Sequence, residues 1–327
     1  MTDDDRRLAT TSGVLAVANL QAQIDGLAAQ LAGARSSRAP AVAERARLVD
    51  LLILRGEVLG RIADYERAAE LALVLVRDAP DDGAAWLARA RTRATFHRFA
   101  EALADLDAAG RRGAGQAALD AERAAILQAV GCYAEARVLR RDAAERLFTE
   151  ARRRYRGVSP FPVASLDSRR GLMWLGQRDL HTARAWFDVA VQRVPAYAPA
   201  LGHRAEVDAA LGARDAAIDR LRPLAASSDD PEYAASLAGV LSNAGHPQEA
   251  EHWRISAAAR YDELMLRHPE AFVDHAADFW LTVGGDSDKG APAGSWNHIS
   301  RATRAPAILH RVIRAADGVP TSTRTTG

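Results

Sequence analysis

The stretch that decides the fold is Gly60–Pro80, GRIADYERAAELALVLVRDAP. Its apolar residues recur at helical spacing, it carries a small residue at Ala68, and it ends at Pro80. Proline stops a helix because it has no amide hydrogen and its ring clashes with the preceding turn. The stretch contains no nucleophile, metal-ligand cluster or glycine-rich loop. Its role therefore depends on whether it is a local helix or one copy of a repeat.

The pattern aromatic-x-x-Ala recurs along the chain with a period of 34 residues. Its aromatic residues are Tyr65, Phe99 and Tyr133, and its alanines are Ala68, Ala102 and Ala136. Three further alanines continue the series after an insertion of 13 residues, at Ala183, Ala217 and Ala250. Six copies in register indicate a repeat protein, because each copy is a small unit that buries its apolar face only against its neighbours.

This spacing resembles the tetratricopeptide repeat (TPR), a helix-turn-helix of about 34 residues. The resemblance covers about residues 49–269, and its motif positions are Gly56, Tyr65, Ala68, Pro80, Trp86, Ala102, Tyr133, Ala136, Gly171, Ala183, Pro195, Ala217 and Ala250. The small residues are expected where two helices of a hairpin cross closely. The resemblance implies an all-α, TPR-type solenoid of about six to seven hairpins with an N-terminal capping helix.

The predicted organisation follows from this register. We predict a disordered segment over 1–12, a capping helix and loop over 13–48, repeats one to three over 49–157, repeats four to six and a partial seventh over 158–286, and an irregular tail over 287–327. Pro160 and Pro162 break the helix near the insertion, which places the internal boundary at about residue 158. The tail is rich in Gly, Pro and Ser, and the sequence alone leaves three interpretations open: a disordered native tail, a segment that fills the groove, or the product of a shifted reading frame.

Composition narrows the classes of function. The chain has 43 basic and 42 acidic residues, and this balance argues against a general nucleic-acid binder. One cysteine, Cys132, excludes an internal disulfide. The N-terminus lacks the order of charges and apolar residues typical of a signal peptide, and no apolar run is long enough for a membrane helix. We expect a cytoplasmic protein without membrane insertion.

Other features have structural and functional interpretations that stay open. Arginines crowd residues 137–156, either as a basic face for an acidic partner or as a solvated helix face with internal ion pairs. His268 and His275 are seven residues apart, but Pro269 places His268 in a turn, so we expect no metal site. Catalytic and nucleotide-binding motifs are missing from the sequence. We therefore predict a protein that is not an enzyme and holds no cofactor.

The TPR resemblance implies that the first helices of successive repeats line a concave groove where partners bind. The polar residues expected to face that groove are Glu57, Arg61, Arg91, Thr95, Gln128, Arg169, His203, Glu206 and Asn243. The Lys and Asn set with which one TPR class grips a C-terminal carboxylate is missing, so binding of chaperone tails is not expected. The three arginines are candidates to pair with carboxylates of another ligand. Two alternatives are a groove of ordinary surface residues and a groove filled by the chain's own terminal helix.

These observations favour a non-catalytic scaffold that binds a protein or peptide partner of unknown identity through the groove. The alternative is a regulatory TPR protein that senses a peptide or small molecule by changing the pitch of the array. A third hypothesis, an enzyme or cofactor-binding helical array, has no motif in its support.

Overall fold

The computed structural model describes residues 9–33, 38–131 and 141–290, apart from the side chains of 38–41, 127, 128, 130, 131 and 141–144. The described ranges contain helices and no strand. The helices are α1 Gly13–Gly33, α2 Arg38–Leu59, α3 Ile62–Asp78, α4 Gly83–Thr95, α5 Phe99–Arg111, α6 Gln116–Gly131, α7 Arg141–Arg154, α8 Phe161–Gly176, α9 Leu180–Arg193, α10 Ala198–Ala210, α11 Arg214–Ser227, α12 Pro231–Asn243, α13 Pro247–Arg267, α14 Pro269–Leu281 and α15 Ser287–Gly290.

Consecutive helices pair as hairpins, which confirms the predicted all-α repeat fold. Five hairpins lie wholly within the described ranges: α2–α3, α4–α5, α8–α9, α10–α11 and α12–α13. Helices α6 and α14 begin further repeats at the predicted places. First helices of neighbouring hairpins also touch, α2 with α4, α4 with α6, α8 with α10 and α10 with α12. Second helices of successive hairpins make at most sparse contacts, so the first helices form the inner face of the array.

The junction after the first hairpin shows how the sequence ends one repeat and starts the next. Helix α3 ends at Asp78, and Pro80 follows directly. The Asp82 carboxylate accepts a hydrogen bond from the Ala84 amide and caps α4. Trp86 donates its indole N–H to the Pro80 carbonyl at 2.8 Å. The terminating proline and the aromatic residue of the next repeat therefore hold the same junction.

The capping helix α1 packs on the first hairpin through Leu20 and Ile24, which are both almost fully buried. Arg55 adds a polar connection at this packing surface. Its guanidinium donates to Gln21 of α1 at 2.7 Å and pairs with the Asp64 carboxylate of α3, whose side chain is buried as well. One arginine of α2 thus links the capping helix to both helices of the first hairpin, a role that the repeat pattern did not indicate.

Some boundaries differ from the sequence-based prediction. Helix α2 begins at Arg38 and includes Pro40, because proline is tolerated in the first turn of a helix. Helix α13 has 21 residues and is longer than the other second helices, so α14 begins later than the 34-residue period alone would place it. The predicted boundary at residue 158 lies between α7 and α8. Thr11, within the segment predicted to be disordered, donates its amide to the Val158 carbonyl at 2.8 Å.

The apolar core falls into three clusters, and one of them joins distant repeats. Two clusters are local, one built from α4 to α6 and the other from α10 to α14. The third contains Val49 and Leu52 of the first hairpin together with Phe187 and Tyr197 of the fourth hairpin and its following loop. A purely linear solenoid brings only neighbouring repeats into contact. Here the first and fourth hairpins share one core.

Candidate functional site

The residues predicted to face the groove belong to first helices of the hairpins or directly follow one. Their positions are Glu57 in α2, Arg61 just after α2, Arg91 and Thr95 in α4, Arg169 in α8, His203 and Glu206 in α10, and Asn243 in α12. The backbone of Gln128 belongs to α6, but its side chain lies outside the described part of the structure. The repeat residues Tyr133 and Ala136 also lie outside the described residues. The eight described side chains do not share one environment: some are paired within the protein, some lie in a contact between distant repeats, and some are exposed.

Arg91 is paired within the first half of the array. Its guanidinium contacts the Asp50 carboxylate at 2.8 Å and the Glu122 carboxylate at 2.7 Å. Asp50 comes from α2 and Glu122 from α6, so Arg91 connects three successive first helices. The Thr95 side chain folds back onto its own helix, because its hydroxyl donates to the Arg91 carbonyl at 3.0 Å. This stretch of the inner face is held by its own charges, and a ligand would have to displace them.

His203 and Glu206 form a polar cluster on the inner face of the second half. His203 Nδ1 lies 3.1 Å from the Glu206 carboxylate, which also accepts from the Ser236 hydroxyl at 3.1 Å. Burial alone would lower the pKa of His203, but the hydrogen bond and charge of Glu206 outweigh it and raise that pKa. Asn243, at the far end of α12, is exposed. The cluster therefore joins α10 to α12, and Asn243 lies outside it in contact with solvent.

The turns of the first two hairpins contact the second half of the array. We call this contact the seam. On the side of the first two hairpins it contains Glu57, Gly60, Ile62, Ala63, Glu66, Phe96 and Arg98. On the side of the second half it contains Ser165, Tyr197, Ser228, Asp229, Tyr233, Arg260, Arg267, His268 and Glu270. Glu57, predicted to face the groove, accepts weakly from Ser165 at 3.4 Å and Tyr197 at 3.3 Å. The first half thus covers part of the second half, which was not predicted.

Asp229 fixes the position of the second half of the array against the start of helix α3. Both of its carboxylate oxygens accept backbone amide hydrogens across the seam, from Ile62 at 2.6 Å and Ala63 at 2.8 Å. These amides open helix α3 and have no acceptor within their own helix. The loop between α11 and α12 therefore caps a helix 167 residues earlier in the chain. A carboxylate at this end of a helix is also favoured by the helix dipole.

Glu66 makes the largest set of ionic contacts across the seam. Its carboxylate lies 3.0 Å from Arg267, 3.2 Å from His268 Nε2 and 3.6 Å from Arg260. The His268 ring stacks on Phe96 with centroids 3.8 Å apart and an interplanar angle of 13°. Burial lowers the pKa of His268, although Glu66 acts in the opposite direction. His268 is a seam residue, and His275 lies 3.8 Å from Glu232 instead.

Arg61 and Arg169 differ from the other groove residues. Neither guanidinium makes an ion pair or side-chain hydrogen bond with a residue that the structure describes, and Arg169 is exposed. Arg169 follows Ser165 by one helical turn, and Arg61 follows Glu57 just past the end of α2. They therefore lie near the Glu57 contact from opposite sides of the seam. An arginine without an ionic partner is a candidate to bind a negatively charged group.

The arginine-rich segment 137–156 is largely paired wherever its side chains are described. Arg152 is buried and pairs with Asp167, while Arg153 and Arg154 pair with Glu150 in the same helix. Arg156 donates to backbone carbonyls. Arg137 and Arg140 lie outside the described residues, and so does Cys132. In the described part, internal ion pairs account for most of the arginines.

The described residues offer neither a metal cluster nor a membrane-spanning helix. No group of three or more His, Cys, Asp or Glu side chains is arranged there to hold a metal ion. Within the same residues, no helix combines the length and the apolar character that a membrane crossing requires.

The repeat positions themselves decide the fold. A Cβ atom added to Gly56 would lie 2.5 Å from the Tyr65 ring, and one added to Gly171 would lie 2.6 Å from the Phe187 ring. In both hairpins the small residue of the first helix therefore lies directly under an aromatic ring of the second. The described alanines of the second helices, Ala68, Ala102, Ala183, Ala217 and Ala250, are all buried. The chain has the tetratricopeptide-repeat fold.

Comparisons with known proteins return TPR structures. Neither a family model nor a curated protein matches the sequence. Among the solved structures, the thermophilic TPR protein TTC0263 of Thermus thermophilus is 20% identical, over 75% of this chain and 97% of that one, with a TM-score of 0.24. The TPR domain of P58(IPK) is 11% identical, over 92% of this chain and 100% of that one, with a TM-score of 0.30. The TPR assignment rests on the chain's own repeats.

Proposed function

We propose that this TPR protein is a non-catalytic scaffold that binds a protein or peptide partner through its inner face. The observation that carries the proposal is the pair Arg61 and Arg169, two arginines near the Glu57 contact without an ionic partner among the described residues. The remaining cation of the proposed groove in the first half, Arg91, is neutralised by Asp50 and Glu122. An acidic segment of a partner would therefore bind first at Arg61 and Arg169.

The chemistry of the two arginines sets the class of partner. A guanidinium presents several N–H donors in a plane, which matches the two oxygens of a carboxylate. Such charge-assisted hydrogen bonds are shorter and stronger than neutral ones. The proposed ligand is a peptide segment with Asp or Glu side chains. Cytoplasmic localisation and the lack of nucleic-acid binding belong to the same proposal, since the nearly balanced charge of +1 supports a protein partner.

The test is an affinity capture from the native cell extract with three baits: the parent chain, Arg61→Glu/Arg169→Glu, and Arg67→Glu/Arg111→Glu. The last variant makes the same charge change at two exposed arginines on second helices, away from the inner face. We expect a partner that the parent and the control retain and the Arg61/Arg169 variant loses. Equal capture by all three baits would refute the proposed site.

A further inference from the structure

Glu66 has the geometry of a bound ligand. Its side chain is only 12% exposed and is surrounded by Arg260, Arg267 and His268, which belong to the second half of α13 and the residue that follows it. Glu66 itself comes from α3, about 200 residues earlier in the chain. A carboxylate from one half of the molecule is thus held by cationic and imidazole groups of the other half, in the manner of a carboxylate-binding site.

The site is accessible from solvent on one side. Arg267 is 44% exposed, whereas Arg260 and His268 lie deeper. Glu263 lies one turn away in α13 and keeps both arginines in place, at 2.7 Å from Arg260 and 3.0 Å from Arg267. The two guanidinium groups would therefore stay oriented if Glu66 moved out. A carboxylate that enters this site would meet Arg267 before Arg260 or His268.

The two sides of the seam separate more easily at the Glu66 end than at the Glu57 end. Near Glu57 the two halves share an apolar core, which includes residues of the first and fourth hairpins. At the Glu66 end, the contacts are ion pairs, the hydrogen bonds that the Ile62 and Ala63 amides donate to Asp229, and one stacked ring pair, Phe96 on His268. Each polar contact exchanges readily for hydration, whereas burial of apolar surface does not. Separation would thus begin at Glu66 and pivot on the shared core.

We propose that Glu66 is a built-in ligand. Its carboxylate closes the seam by occupying a carboxylate-binding site made of Arg260, Arg267 and His268, and an acidic segment of a partner opens the seam by taking its place. The acidic class of the displacing ligand rests on the proposed function. The closure of the seam by Glu66 is independent of that function. The site is distinct from Arg61 and Arg169, which no carboxylate of the described chain occupies.

The opening of the seam has a direct reporter. The amides of Ile62 and Ala63 bond only to Asp229 across the seam, so they exchange with solvent when the seam opens. Hydrogen exchange is measured on the full chain for the parent, Glu66→Gln and Glu70→Gln. Glu70 is an exposed residue of the same helix, one turn further on, and controls for the change in charge. The amide of Leu106, in the separate α4–α6 cluster, reports global unfolding.

We expect Glu66→Gln to speed exchange at Ile62 and Ala63 by about tenfold or more, the factor that one charge-assisted hydrogen bond confers on an equilibrium. Glu70→Gln should match the parent, and Leu106 should keep its protection in all three proteins. Unchanged exchange at Ile62 and Ala63 in Glu66→Gln would overturn the proposal. Faster exchange there with equal loss at Leu106 would also overturn it, because the effect would then be unfolding.

The ligand class is tested with a fluorescein-labelled hexaglutamate peptide. Because the parent must first release Glu66, we expect Glu66→Gln to bind the peptide about tenfold more tightly than the parent or Glu70→Gln. Adding Arg267→Gln to Glu66→Gln should remove that gain. Equal binding by parent and Glu66→Gln would refute the displacement. Peptide binding that Arg61→Glu/Arg169→Glu abolishes, and Glu66→Gln leaves unchanged, would support the proposed function while refuting this inference.

Discussion

A methyl group added at Gly171 tests whether the small residues of this TPR array are required by close helix crossing. In Gly171→Ala the new Cβ would lie 2.6, 2.7 and 2.9 Å from three atoms of the Phe187 ring. Phe187 has no room to move away, since its side chain is fully buried and its ring packs against His203 with centroids 5.6 Å apart. The helices must therefore separate or the ring must leave its rotamer.

The magnitude follows from two opposing terms. Overpacking a well-packed core costs about 1–3 kcal/mol. Replacing glycine by alanine inside a helix returns up to about 1 kcal/mol, because the unfolded chain loses freedom and the helix propensity rises. With three ring atoms inside 3 Å, the first term should lie near its upper end. We expect a net loss of about 1–2 kcal/mol in the free energy of unfolding.

The assay is urea unfolding followed by circular dichroism, with Gly26→Ala as the matched control. Gly26 lies inside α1, and no atom outside its own helix comes within 4 Å of its added Cβ. This control should gain about 0.5–1 kcal/mol. Phe187→Leu should relieve the clash, so the two changes at residues 171 and 187 should be coupled by about 1 kcal/mol in a double-mutant cycle. If Gly171→Ala proved as stable as Gly26→Ala, the steric account of this repeat position would be refuted.

Two further predictions concern buried charge. Asp64→Asn should lower the free energy of unfolding by about 3–5 kcal/mol, because it leaves the Arg55 guanidinium buried without its counter-charge; urea curves should show no such loss for the exposed Asp81→Asn. Burial, followed by the nearby Glu232 charge, raises the pKa of Asp230 from 3.8 to about 7. The folded chain then binds a proton that the unfolded chain releases, so stability falls as the pH rises from about 4 to about 7. Asp230→Asn, which keeps the cap acceptor for the Glu232 amide, should flatten the melting temperature between pH 5 and 8, and an unchanged slope would contradict this assignment.

Most of the fold was predictable because its contacts are local and periodic. Gly171 and Phe187 belong to one hairpin, and so do Gly56 and Tyr65, so a 34-residue period places each pair without knowledge of the rest. The prolines after α3 and α9 end helices for a reason confined to their own backbone. Such features survive in the sequence because every repeat needs them. The features that predicted the all-α repeat fold depend on nothing more distant than the neighbouring hairpin.

The seam was not predictable for the opposite reason. Asp229 and Glu66 occupy a loop and a helix surface, where acidic residues are usually exposed to solvent, and their partners are far away in the chain. One weak signal was present. Gly202 lies in the interior of α10, where glycine costs helix stability, and an added Cβ would lie 2.7 Å from the Tyr233 ring. A Cβ added to Gly60, whose φ is +63°, would also lie 2.7 Å from that ring, across the seam. A glycine inside a helix indicates close approach, but not of which element.

The same contrast between local and distant contacts explains why the sequence predicted a set of groove residues but not which of them are already neutralised. Position in the repeat predicts which face a side chain occupies, and Arg61, Arg91 and Arg169 lie in first helices or directly after one. Whether each is already neutralised depends on other repeats: Asp50 and Glu122 reach Arg91, while no described carboxylate reaches the other two. Charge pairing across repeats is thus the step at which periodicity stops being informative.

The distribution of apolar and polar contacts along the seam determines how a partner could act on this array. If the shared core of the first and fourth hairpins extended along the whole seam, opening it would expose buried apolar surface, and only a large interface could compensate for that. At the Glu66 end, the contacts are chiefly polar, and each contributes about 0.5–3 kcal/mol net. A short acidic segment can match contacts of that size. The seam is therefore a place where binding of a modest ligand would be converted into a change in the arrangement of the repeats.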